Sequence, residues 1–260
     1  MFSQQQSSNQ LNGMFEGLES RRLLSSVDLV GGVLTVMGTQ DKDEITLSLK
    51  AGSTTQLSVD MNGVVNNFNV SDIKSVFVFG RGSDDKIEVS NANGIVPLAC
   101  FLGGGDGKDE IVGGNFDDTL RGGNDNDKLT GGRGNDSIEG DDANDVLVGG
   151  IGDDYLFGGA GNDELNGNGG NDFLKGGADN DRMSGGNGDD ELWGNEGNDS
   201  LLGDDGNDFL VGGLDDDDLD GGTGNDQLYG QLGNDDFFGD PSEVQDLAVT
   251  DNGANTLGVA

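Results

Sequence analysis

The residue at every ninth position decides what this chain can fold into. From Gly104 to Phe238 the sequence divides without a gap into fifteen nine-residue units, represented by GGRGNDSIE, Gly131 to Glu139. Position one is Gly in all fifteen. Position six is Asp in all fifteen: Asp109, Asp118, Asp127, Asp136, Asp145, Asp154, Asp163, Asp172, Asp181, Asp190, Asp199, Asp208, Asp217, Asp226 and Asp235. Position eight is always apolar, from Ile111 through Leu120, Leu129 and Met183 to Phe237. Position five is Asn or Asp in fourteen units, with Lys108 the exception. A repeat in phase over such a length has to be read first, because one short unit cannot bury its own apolar side chain and must stack on copies of itself.

Each column has a physical reading. Gly at positions one, two and four, with Asn or Asp at five, tolerates positive φ, so the first six positions are expected to form a tight turn with carbonyl oxygens on its inner side. The last three residues read as a very short strand whose middle side chain points inward. Two units per coil give an eighteen-residue turn with a strand on each side, about seven and a half coils in all. The predicted fold is all-β, a stack of such coils with a continuous inner row of Leu and Ile. In that geometry Asp136 lies above Asp118 and below Asp154.

Rows of carboxylates at strand spacing, ~4.8 Å, repel strongly unless neutralised. The whole chain carries 50 Asp+Glu against 13 Lys+Arg, a formal charge of −37, and only 32% hydrophobic residues. Such acidity disfavours nucleic acid and anionic membrane surfaces as partners and favours a multivalent cation. Ca²⁺, which takes six to eight carboxylate and carbonyl oxygens, suits this donor set; Mg²⁺ keeps its waters and fits less well. Zinc is disfavoured, since there is no His and one Cys. The lack of His also removes Ser-His-Asp, Cys-His and HExxH chemistry, so the chain is read as a non-enzyme. Cys100, within the apolar run 95–102, is expected to be a small buried hydrophobe. No stretch approaches the ~20 apolar residues of a membrane span, so no membrane insertion is expected.

The units resemble the GGxGxDxUx nonapeptide of the RTX (haemolysin-type) calcium-binding proteins. That resemblance implies a right-handed parallel β-roll, two nonapeptides per turn, binding several Ca²⁺ ions in its turns. It implies that the position-six aspartates, Asp109 to Asp235, are the carboxylate ligands. Carbonyl ligands are implied at positions two and four: Gly105, Gly107, Gly123, Gly132, Gly134, Gly150, Gly152, Gly159, Gly161, Gly186, Gly188, Gly222 and Gly224. The pattern is broken at position four by Phe116, Asp125, Ala143, Asp179 and Asp215, and at position two by Asp141, Asn168, Asn195, Asp204 and Gln231. It also implies secretion to the cell exterior or surface and folding on extracellular Ca²⁺.

Four segments are expected: an N-terminal tail over 1–26, a β-rich cap over 27–103, the roll over 104–238 and a C-terminal tail over 239–260. Strands are predicted at Gly32–Met37, Ile45–Leu49, Gln56–Val59, Val64–Asn69, Ser75–Phe79 and Lys86–Val89, with an Asn62-Gly63 turn. Gly38–Thr46 and Gly80–Glu88 read as degenerate units, with Asp43 and Asp85 at position six. The run Leu18 to Ser25, LESRRLLS, resembles the LEPR-x-LL motif of large exported bacterial proteins, with Ser20 replacing proline. Pro241 is expected to end backbone pairing. Sorting outward positions by unit parity puts Tyr155, Phe157, Phe173, Trp193, Phe209 and Tyr229 on one sheet. An adhesin or matrix role, through self-association or surface contact at these rings, is the alternative reading.

Overall fold

The computed structural model describes residues 25–238 and the strand at 256–258. The sorting-like motif up to Leu24 and Pro241 lie outside the described residues. The chain is a parallel β-solenoid of two facing sheets, of eleven and thirteen strands. Seven strands come before the first long inter-coil loop: β1 (Ser26–Val30), β2 (Val33–Met37), β3 (Glu44–Leu49), β4 (Gln56–Met61), β5 (Val64–Asn69), β6 (Ser75–Gly82) and β7 (Lys86–Ser90). β8 (Cys100–Asp106) then leads into fifteen repeat strands, one per nonapeptide, from β9 (Glu110–Val112) to β23 (Asp236–Phe238). Even-numbered units line the eleven-stranded sheet and odd-numbered units the other.

Register follows the eighteen-residue coil: Leu120 pairs with Ile138, Ile138 with Leu156 and Leu156 with Leu174. Every position-eight side chain from Ile111 to Phe237 is buried, giving one inner row shared by both sheets. At the N-terminal end this row merges with Leu34, Val36, Ile45, Leu47, Leu57, Val59, Val76 and Val78, in one continuous core. There the pairing turns antiparallel. β1 folds back on β2 through Gly31-Gly32, and β4 and β5 are joined at Asn62-Gly63, whose φ values of 53° and 80° suit a two-residue hairpin. Antiparallel hairpins therefore occupy the N-terminal end of both sheets.

Two expectations need correction. Most repeat strands are six residues long, as in Tyr155–Ala160, not three. Positions one to three of the next unit continue the ladder, and the positive-φ residue at position two kinks the strand without ending it. Only positions four to six form the turn. Pairing also resumes beyond Pro241: β24 (Thr256–Gly258) lies parallel to β23, with Leu257 opposite Phe237. Proline removes only its own N–H, and a later segment has amides to offer.

Apart from Phe116, the non-glycine residues at positions two and four take the left-handed conformation the glycines take. Asp125, Asp141, Ala143, Asn168, Asp179, Asn195, Asp204, Asp215 and Gln231 have φ of 71–83°. Glycines at these positions spread further, for example Gly152 at 133°. A Cβ on Gly152 would overlap the carbonyl oxygen of Gly134 in the coil below. Gly152→Asn can retreat to the φ used by Asp125 and is expected to cost about 1 kcal/mol, whereas β-branched Gly152→Val adds rotamer clash and is expected to cost several times as much. Thermal unfolding of both variants in saturating calcium checks this, and equal melting temperatures would contradict it.

Candidate metal centre

The position-six aspartates stand in two rows, one along each line of turns. The first runs Asp43, Asp85, Asp109, Asp127, Asp145, Asp163, Asp181, Asp199, Asp217, Asp235, and the second Asp118, Asp136, Asp154, Asp172, Asp190, Asp208, Asp226. All seventeen are at most 3% exposed. Within each row the backbone N–H of one aspartate donates to Oδ1 of the next, at 2.6–3.1 Å. One carboxylate oxygen thus stitches coil to coil.

The other oxygen does something different. Oδ2 of Asp109, Asp127, Asp136, Asp145, Asp154, Asp163, Asp172, Asp181, Asp190, Asp199, Asp208, Asp217 and Asp226 is buried and accepts no hydrogen bond. A buried charged acceptor without a donor is costly, by at least ~1–3 kcal/mol each. What lies near it is more oxygen. A Cβ placed on Gly140 would meet both Asp145 Oδ2 and, at 2.6 Å, the carbonyl of Gly158; Gly167 has the same surroundings, Asp172 Oδ2 and the Gly185 carbonyl. Oxygen facing oxygen in a buried turn fits a hard cation and little else. Among the described residues no three acidic, Cys or His side chains converge.

The glycines predicted to give carbonyls at positions two and four point those carbonyls along the stack, Gly132 toward Gly150 and Gly134 toward Gly152. At Gly122, Gly140, Gly158, Gly167, Gly194 and Gly203 the carbonyl met together with Oδ2 is that of the position-one glycine one coil on, a position the sequence reading did not single out. Its signal was the unbroken glycine column: a side chain there would strike the carboxylate.

Burial raises the position-six carboxyls from Asp109 to Asp217 far above the usual range, opposed by the backbone N–H each accepts and reinforced by neighbouring aspartates. Asp127, Asp181 and Asp217 reach about 8, and Asp136, Asp145 and Asp190 about 7. A group whose pKa is raised by folding stabilises the fold below its unfolded value, here near 3.8, and loses that contribution as pH rises through the folded value. In chelator, acidification from pH 8 to pH 4 is therefore expected to increase β-structure, with protons standing in for the cation. Far-UV circular dichroism follows this, and a chain whose signal fell on acidification would refute it.

A second pair of ladders was not foreseen. Position-five Asn and Asp accept from the position-five N–H of the next coil, as in Asp153 N to Asn135 Oδ1 at 3.0 Å and Asn171 N to Asp153 Oδ1 at 2.9 Å. Its direction is opposite to that of the aspartate rows, so the two lock each turn from both sides. The near-constant Asn/Asp column was the available signal, and reading it only as a turn former hid this use.

A sequence profile of the RTX calcium-binding nonapeptide repeat matches four times in succession, over residues 103–138, 139–174, 175–210 and 211–241. The chain belongs to the RTX calcium-binding nonapeptide repeat family. None of the curated proteins matches it. Membership implies calcium binding, and the RTX match stops short of Asp43 and Asp85.

On the outside of the RTX roll, all six named rings lie on the eleven-stranded sheet. They face one another: Tyr155 stacks on Phe173 at 5.0 Å, and Phe209 contacts Trp193 and Tyr229 at 5.9 and 5.3 Å. Lys175 sits over Phe157. Such cross-strand pairing is how aromatic residues stabilise a sheet, and it accounts for the stripe. Cys100 is buried, as expected, and burial pushes its thiol up. No helix among the described residues is long and apolar enough to cross a membrane.

Proposed function

We propose that the protein is a secreted calcium-binding repeat protein with no catalytic role, whose roll folds when it meets extracellular Ca²⁺. The observation that carries this reading is the array of buried Oδ2 atoms that accept no hydrogen bond, several of them with a carbonyl oxygen close by. Such an array costs too much to close on its own. The three ion pairs found among the described residues all involve Lys86 or Arg121 and offset little of the acidity. Calcium supplies the missing charge and takes the oxygens as ligands. In a low-calcium cytosol the carboxylates hold the chain open; in millimolar calcium outside, binding to the folded state alone drives folding. RTX proteins are commonly secreted, which agrees with that division.

Equilibrium dialysis against millimolar Ca²⁺, with Mg²⁺ at the same concentration as control, tests the reading. Several calcium equivalents bound, with magnesium failing to displace them, is the expected result. A chain that binds no calcium, or binds the two ions alike, would overturn it.

A further inference from the structure

The repeat pattern and the array of donor-free oxygens do not coincide, and the mismatch falls at the N-terminal end of both rows. Asp85 lies outside the RTX match, in a unit with Arg81 and Ser83 where the repeat has glycine. Yet Arg81 and Ser83 take φ of 95° and 66°, the left-handed backbone of positions two and four. Holding an arginine there costs energy and implies that the surrounding structure imposes it. Asp85 is 2% exposed, its Oδ2 accepts no hydrogen bond, and a Cβ on Gly80 would meet that oxygen and, at 2.8 Å, the Gly104 carbonyl. These are the surroundings found at Gly140 and Gly167.

Asp118 departs in the opposite sense. It sits within the RTX match in the unit GGNFDD, but neither Gly114 nor Phe116 has positive φ. The position-two N–H of Gly114 turns inward and donates to Asp118 Oδ2 at 2.6 Å, while the Cys100 N–H donates to Oδ1 at 2.7 Å. Asp43, the head of the other row, is closed in the same way. Its Oδ2 accepts from the position-two N–H of Thr39 at 2.5 Å and from Thr39 Oγ1, and its Oδ1 from Asn62 Nδ2. An N–H pointing at the carboxylate stands where a cation would have to be.

We infer that Asp85 is a calcium ligand in the degenerate coil 80–88, and that Asp43 and Asp118 are not ligands but protein-locked heads of the two rows. This rests on the calcium reading above and deepens it. The metal array then begins at Asp85 on one side and at Asp136 on the other.

The test compares calcium stoichiometry, by native mass spectrometry of the full chain in saturating Ca²⁺, for the parent, Asp85→Asn and Asp118→Asn. Asp85→Asn should lose at least one equivalent and Asp118→Asn none. An unchanged count in Asp85→Asn, or a loss in Asp118→Asn matching it, overturns the assignment while leaving calcium binding intact. A parent that binds no calcium overturns both readings. If Asp85→Asn does not fold, crystals of the parent grown in Ca²⁺ decide: anomalous density beside Asp85 Oδ2 supports the site, and its absence there with density beside Asp145 sinks it.

Discussion

Titrating the chelator-treated protein with Ca²⁺ is expected to convert a largely unfolded chain to β-structure in one steep step near millimolar concentration, and Mg²⁺ is expected not to. The size of the effect follows from linkage. A site of extracellular grade, Kd ~10⁻⁴–10⁻³ M, contributes about 0.4–1.4 kcal/mol at 1 mM calcium. Over about a dozen carboxylates this amounts to roughly 5–17 kcal/mol, the scale of a whole domain's stability. Steepness has a structural origin, since each Oδ1 is held by the N–H of the neighbouring coil and a coil cannot place its carboxylate alone. Far-UV circular dichroism and protection from protease are the measurements. A roll already folded in excess chelator would show that the inner Leu row and the hairpins suffice.

The second large effect is expected from Leu174→Asp. Leu174 is fully buried between Leu156 and Leu192 in the inner row. Truncation to Ala alone would cost about 2–5 kcal/mol through lost burial and a cavity. An ionised carboxylate there has no donor to meet and costs more. Contacts in a solenoid are to nearest neighbours, so the damage should divide the roll into two segments, each with its own calcium midpoint. A single unchanged transition in this variant would contradict the shared-row picture.

Those two predictions draw on parts of the molecule that were legible to different degrees. The inner row and the register were plain, because position eight is apolar and position six acidic at a fixed interval. Strand length was not, since a glycine at positive φ reads as a turn and here lies within the ladder. Asp118 looked like every other position-six residue. Phe116 marked the unit as irregular, but the turn of the Gly114 amide toward Asp118, beside Val89 of β7, leaves no trace in residue type. Asp85 was obscured for the converse reason: Arg81 and Ser83 are poor sequence signals for the left-handed backbone they nonetheless adopt. β1 shows the limit in another way, for its partner β2 was expected as a strand and β1 itself was not.

The unequal coil between β7 and β9 has a consequence for how the molecule keeps count. Through the repeats each aspartate meets its neighbour eighteen residues on, and sliding the chain by that interval would replace every pairing with an equivalent one. Asp85 meets Asp109 across 24 residues, and Asp43 meets Asp85 across 42 with a hairpin between. No shifted frame reproduces those two steps. A ruler with identical divisions needs a distinguishable zero mark, and the irregular end supplies it.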